Sequence, residues 1–124
     1  MDAAEIGRRE GTDFVIGIGG GSPLDAAKAI ALMIQNRDSA SSVLYQNMAL
    51  RALPVVTVPT TCGTGSEVTP FAILTRDDLQ TKQSISHRIY PVIALVDGKY
   101  LKTAQNMAAG HVAIRFGLHG MCTY

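Results

Sequence analysis

Tryptophan is absent, aromatic residues make up only 6% of the 124 positions, and cysteine occurs twice. Cys62 and Cys122 stand far apart and belong to no CxxC pair. A disulfide framework and a cysteine zinc site are therefore excluded as organising devices. Charge of one sign is also missing: eleven Lys and Arg stand against ten Asp and Glu, a formal +1. That balance lacks the electrostatic footprint of a nucleic-acid binder. Long apolar runs are missing too. Ala26–Ile34 is broken by Lys28, and Val92–Val96 is followed at once by Asp97. Neither approaches the ~20 apolar residues that cross a bilayer. The opening MDAAEIGRRE has no apolar stretch after its charges, so no signal peptide is expected there. The expectation is a cytoplasmic chain with no membrane and no nucleic-acid partner.

What remains is an ordinary globular composition, 47% apolar and 17% charged. The length suits one domain or a piece of one. Such a chain buries only about two-thirds of its unfolded surface, which leaves little stability to spare if an element is missing. Residues 2–10 read as a helix ended by Gly11. Asp13–Ile18 is a short β-branched run between glycines, a buried strand. After Gly19-Gly20-Gly21-Ser22-Pro23 comes a helix from Leu24 to about Gln35, with Pro23 tolerated in its first turn and Ser22 as a candidate cap. A polar connection over 36–52 carries one apolar patch, Val43-Leu44-Tyr45. Pro54–Pro59 is a second buried strand. Phe71–Thr75 and Lys82–Ser86 are weaker strands that suit a hairpin around the turn Arg76-Asp77-Asp78. Pro91–Asp97 is a fifth. Apolar strands separated by a helix predict an α/β fold with a mostly parallel sheet and flanking helices.

Two loops carry the chemistry. The first runs strand, GGGSP, helix. Glycines let a backbone approach an anion closely, and a helix N-terminus presents unpaired N–H groups and the positive end of its dipole. Ligands of open α/β sheets sit beyond the carboxyl ends of strands, where Gly19–Ser22 falls. No Gly-Lys-Ser/Thr follows, so the loop is not a P-loop. A tight turn alone needs one or two glycines; three in a row, each with an entropic cost, exceed that need. Asp25, in the first turn, can complement the dipole, brace the glycine loop or accept from a ribose hydroxyl. Lys28 reads as a solvated charge.

The second loop is Pro59-Thr60-Thr61-Cys62-Gly63-Thr64-Gly65-Ser66-Glu67-Val68-Thr69-Pro70. It also leaves the end of a buried strand. Its hydroxyls can serve phosphate, ribose or amide groups, or can satisfy the loop's own backbone. Two such loops in one short chain favour a shared ligand. Cys62 has no His or Asp partner that sequence can place, so it reads as a space-filler rather than a nucleophile. His87 reads as a loop residue.

Together the stretches DFVIGIGGGSPLDAAKAIA, PVVTVPTTCGTGSEVTPFAIL, Lys82 and PVIALVD resemble the iron-containing (group III) alcohol dehydrogenase family, from about residue 2 to residue 104. The pairing of GGGSxxDxxK with PTTxGTGSE is far more specific than either loop alone. The resemblance implies a Rossmann-like domain that binds NAD or NADP. It also implies a helical domain with a divalent metal, iron or zinc, that polarises an alcohol or carbonyl oxygen during hydride transfer. By position, Gly20, Gly21, Ser22 and Asp25 would hold the pyrophosphate region. Thr60, Thr61 and Thr69 would line the adenosine and ribose path, and Lys82 would reach a ribose or phosphate oxygen.

The departures shape the remaining expectations. The family's chains extend further at both ends. Its metal pattern Gly-x-Asp-x-x-x-His has no Asp here, since Met107 stands four before His111, and His119 is spaced wrongly. No metal ligand is therefore assigned; His111 reads as a surface or packing residue. Residues 1–104 are expected to form a partial dinucleotide-binding domain, incomplete relative to the family and without its helical metal domain. Residues 105–124 are expected to be a divergent tail, as a truncated or frame-shifted gene would give. An alcohol or aldehyde is then a substrate only if the missing domain is supplied, and exposed sheet edges favour self-association. Two alternatives stand beside this reading. One is a small-molecule kinase-like module, since PTTCGTGSEV is superficially like the Pro-x-x-x-Gly-Leu-x-Ser-Ser loop of GHMP-type kinases. The other is a non-catalytic gene fragment.

Overall fold

A computed structural model describes residues 3–37, 40–76 and 78–101. Helix α1 spans Ala3–Arg9 and ends where Gly11 takes a left-handed φ of 66°. Strand β1 spans Val15–Gly19, helix α2 Gly21–Gln35 and strand β2 Val55–Pro59. Strands β3 (Ile73–Arg76) and β4 (Thr81–Ser84) follow, then β5 (Ile93–Ala94) and helix α3 (Gly98–Leu101). A single 3-10 turn, Ser41–Tyr45, buries the Val43-Leu44 patch in the connection after α2.

The main sheet has the order β1-β2-β5, with both pairings parallel. Val15 faces Val55 and Gly19 faces Pro59, so both strands end at the same level. Strands β3 and β4 form the expected antiparallel hairpin beside it. Strand β5 is shorter than its apolar run. Its ladder is closed by Val92 N–H to Val55 O and Leu95 N–H to Thr57 O, both 2.8 Å.

Helix α2 covers one face of the sheet. Its Leu24, Ala27, Ala29, Ala31 and Leu32 are buried, with Leu24, Ala31 and Leu32 at 1% exposure or less. Close approach is possible because Gly17 has no side chain: a Cβ there would lie 2.8 Å from the Ala27 Cβ. The core joins Ala27, Ala31, Leu32, Leu44, Val55, Ala72, Ile85 and Ile89, so α2, β2 and the hairpin segment share one apolar cluster. Helix α1 packs on α2, its Gly7 against Ile34.

The other face differs from a sheet covered on both sides. Ile16, Ile18, Ile93 and Leu95 are each at least half exposed. They alternate with the residues that meet α2, as strand geometry requires. Among the described residues no element covers them. No helix of the described residues is long and apolar enough to cross a membrane.

Candidate functional site

Both loops leave the carboxyl ends of neighbouring parallel strands. The polypeptide turns from β1 into α2 at Gly19, whose φ of 141° few side-chain-bearing residues adopt, and whose Cβ would meet Pro23 at 2.8 Å. Gly20, in extended backbone, caps α2 without a side-chain cap hydrogen bond. This corrects the expected cap: Ser22 is exposed at the second helical position, because the glycine backbone lets the helix begin at Gly21. Pro23 carries no N–H, so the first-turn donors without intrahelical partners are those of Gly21 and Ser22.

The threonine loop lies directly over this turn. Thr60 N–H donates to Gly19 O at 2.9 Å. A Cβ on Gly20 would stand 3.1 Å from Thr61 Oγ1, and one on Gly21 3.3 Å from Thr64 Cγ2. The two glycines therefore serve contact between the loops as well as the turn. Gly63 and Gly65 take left-handed φ values of 87° and 69°, which reverse the loop without a helix.

Asp25 fastens the loop to α2. Its Oδ1 accepts from Ser66 Oγ at 2.5 Å, and its Oδ2 accepts from Ile73 N–H at 2.9 Å. The bracing expected of Asp25 for the glycine loop goes instead to the threonine loop and the start of β3, with both oxygens engaged within the fold. Lys28 is the larger correction. Instead of a solvated charge, its side chain is fully buried. Its ammonium donates to Ser66 Oγ at 3.0 Å, Thr69 O at 2.8 Å and Phe71 O at 2.6 Å. Three N–H groups meet three acceptors, with Asp25 Oδ1 a further 3.9 Å away. Burial lowers the Lys28 pKa below the ordinary lysine value, against the raising effect of Asp25 and Glu67. The signal was available in the sequence: Leu24, Lys28 and Leu32 fall at i, i+4 and i+8 on the apolar stripe, which places a lysine in the buried face.

Other anchors were also missed. Thr57, fully buried in the middle of β2, donates to Glu67 O at 3.2 Å, and Glu67 Oε2 accepts from Thr64 Oγ1 at 3.3 Å. Two shallow hollows adjoin at this rim. One, of about 310 Å³, is lined by Gly21, Ser22, Asp25, Thr75 and Lys82; the other, of about 290 Å³, by Gly21, Thr64, Ser66 and Thr69. Gly21 thus sits between the exposed Lys82 ammonium and the threonine hydroxyls. Thr61 is exposed on the loop, while Thr60 and Thr69 are half-buried. A hollow of about 430 Å³ at the amino ends of β2 and β5 gathers Met48, His87, Arg88 and Tyr90. It lacks the glycine turn and helix end. His87 is in a loop, as expected, but buried, with Nε2 2.7 Å from Val43 O.

Residues 1–98 match the family described as iron-containing alcohol dehydrogenase. The chain belongs to that family. Similar proteins include a long-chain primary alcohol dehydrogenase of Thermoanaerobacter ethanolicus, 39% identical over 99 residues, 77% of this chain and 25% of that one. An NAD-dependent methanol dehydrogenase of Bacillus methanolicus is 36% identical over 98 residues, 77% and 26% of the two chains. Among solved structures, an iron-containing alcohol dehydrogenase of Thermotoga maritima superposes with a TM-score of 0.79 at 40% identity, covering 90% of this chain and 32% of that one. A sulfoacetaldehyde reductase of Bifidobacterium kashiwanohense in complex with NAD+ gives 0.72 at 36% identity, covering 81% and 27%. The chain spans about a quarter of the length of the curated relatives it matches.

The family name implies a metal. Among the described residues no group of three or more His, Cys, Asp or Glu is placed to hold one. The described residues do not fit a metal centre. His111, His119 and Met107 lie outside the described residues.

Proposed function

We propose that this chain is the dinucleotide-binding portion of an NAD(P)-dependent alcohol dehydrogenase, acting on an alcohol or aldehyde. The observation that carries the reading is the interlock of the glycine turn with the threonine loop at adjoining strand ends. A cradle without Cβ atoms, two first-turn N–H donors, loop hydroxyls and Lys82 on the facing rim make a set that suits a diphosphate. In this reading Gly20, Gly21 and Ser22 receive the pyrophosphate, Thr60, Thr61 and Thr69 line the adenosine and ribose path, and Lys82 neutralises an oxygen. Asp25 contributes by holding the loop, since its own charge opposes a phosphate. The bound nicotinamide supplies the hydride chemistry; the protein supplies position and electrostatics.

Calorimetric titration of the 124-residue chain with NAD+, NADP+, ADP-ribose and ATP tests the reading. Binding of ADP-ribose and at least one dinucleotide is expected. Binding of ATP alone refutes it and favours the kinase-like alternative, against which the threonine loop already speaks by running through turns into β3 instead of opening a helix. Because Met107 stands where the family's metal pattern has Asp, turnover by this chain alone is expected to be negligible. Robust metal-dependent alcohol oxidation in a steady-state assay refutes that part.

The division into a dinucleotide-binding part over 1–104 and a divergent tail over 105–124 belongs to the same proposal. Its support is a family match that ends at residue 98. Limited proteolysis that cuts first within 1–98 counts against it. A cytoplasmic location, tested by cell fractionation, and self-association through the open sheet face complete the reading.

A further inference from the structure

Lys28 is the one buried cation of the described residues that the proposed site does not touch, and its partners are unusually placed. All three lie on the descending limb of the threonine loop and the approach to β3: Ser66 Oγ, Thr69 O and Phe71 O. The lysine itself stands on α2, two turns in from the glycine cap. One side chain therefore connects the helix whose N-terminus forms one wall of the cleft with the segment that forms the other. Ser66 Oγ completes the connection by donating to Asp25, one turn earlier on α2. A neutral amine has only two N–H groups, so only the ammonium donates to all three oxygen acceptors at once.

We propose that Lys28 is a positioning residue: it holds the threonine loop at the height over Gly20 and Gly21 that a diphosphate requires. The ligand named rests on the dinucleotide reading above; the anchoring of the loop does not. Without the ammonium, two part-buried carbonyls lose a donor, and segment 66–73 can lift from α2 while the helix and sheet keep their apolar packing.

The test uses the 124-residue chain with Lys28→Met and Ser66→Ala, and Leu32→Ala as a control that removes core packing away from the loop. Hydrogen exchange by mass spectrometry reads the loop. Calorimetry with ADP-ribose reads the site, at a temperature where circular dichroism shows each variant folded. Lys28→Met is expected to speed exchange across 66–73 by about tenfold or more, with 28–35 little changed, and to weaken ADP-ribose binding by a similar factor. Ser66→Ala, which leaves Lys28 two acceptors, is expected to show the same pattern more weakly. Leu32→Ala is expected to lower the melting temperature without weakening binding. Unchanged exchange in 66–73 of folded Lys28→Met overturns the anchor. Faster exchange with unchanged affinity overturns its role in the site. Should Lys28→Met not fold, a Ser66→Ala chain indistinguishable from wild type in both readouts overturns the proposal. Wild-type chain that ignores ADP-ribose sinks the dinucleotide reading, a failure visible before any substitution, and the exchange arm still decides the anchor.

Discussion

Two glycines three residues apart are predicted to fail in opposite ways. At Gly17 an added methyl would stand 2.8 Å from the Ala27 Cβ and 3.4 Å from both Leu24 Cα and Cδ2. Ordinary carbon contacts are about 3.5–4.0 Å, so β1 and α2 must part by roughly 1 Å. The Leu24 Cδ2 tip can rotate, but the Ala27 Cβ and the Leu24 Cα cannot. Overpacking of this kind costs about 1–3 kcal/mol, and each kcal/mol moves the melting temperature of a domain this size by about 4 °C. At Gly20 the backbone is extended, so alanine carries no conformational strain there. Its methyl meets Thr61 Oγ1 at 3.1 Å, on an exposed side chain that can turn aside. Gly20→Ala is therefore expected to keep most of its stability and to lose affinity for ADP-ribose, since the methyl and the displaced threonine enter the cleft. Gly17→Ala is expected to lose stability and, where still folded, to keep its affinity. Thermal denaturation and calorimetric titration of the two chains check the pair. Equal melting temperatures, or intact ADP-ribose binding by Gly20→Ala, would refute the reasoning.

Since burial lowers the Lys28 pKa, the unfolded chain holds more protons than the folded one between that lowered value and the ordinary ~10.4. The Lys28 contribution to stability is therefore least favourable below the window and improves as pH rises through it. Urea denaturation is expected to show wild type gaining on Lys28→Met over that range, and a falling difference refutes the assignment. On the open face, Ile18→Lys and Ile93→Lys place charge among Ile16, Val56 and Leu95, and are expected to shift a self-associating chain toward monomer in sedimentation velocity. A wild-type chain that is monomeric across concentration removes the basis for that proposal.

Much of the fold was written in local pattern. The β-branched run before three glycines marks β1, and Pro54–Pro59 marks β2. The hairpin followed from two weaker runs around Arg76-Asp77-Asp78. What local pattern does not carry is contact at a distance. Lys28 reads as solvated because lysine usually is; its acceptors lie about forty positions away, in a loop whose path no periodicity reports. The same holds for Asp25, whose partners Ser66 and Ile73 become neighbours only when β2 returns beside β1. The Ser22 cap was misplaced for a smaller reason: capping preference favours serine, but a glycine backbone can take the cap geometry and start the helix earlier. Ile16 and Ile18 read as buried because they are apolar. Burial also needs a partner layer, which no residue names for itself.

The cleft and the open face draw on different parts of the sheet, and this separates two questions about a chain that spans a quarter of its relatives' length. Every contact that shapes the cleft lies between residues 17 and 82, on the side covered by α2: the Gly19–Thr60 bond, the Asp25–Ser66–Lys28 cluster, and Thr57 under Glu67. None passes through the side chains of Ile16, Ile18, Ile93 or Leu95; Thr57 meets the last two only through backbone, at Ile93 O and Leu95 N–H. Charging the open face should therefore change how the chain associates while leaving ADP-ribose affinity in place. The Lys28 and Ser66 substitutions should do the reverse. Loss of affinity on Ile18→Lys, in a chain that circular dichroism shows folded, would mean that the cleft depends on what covers the far face.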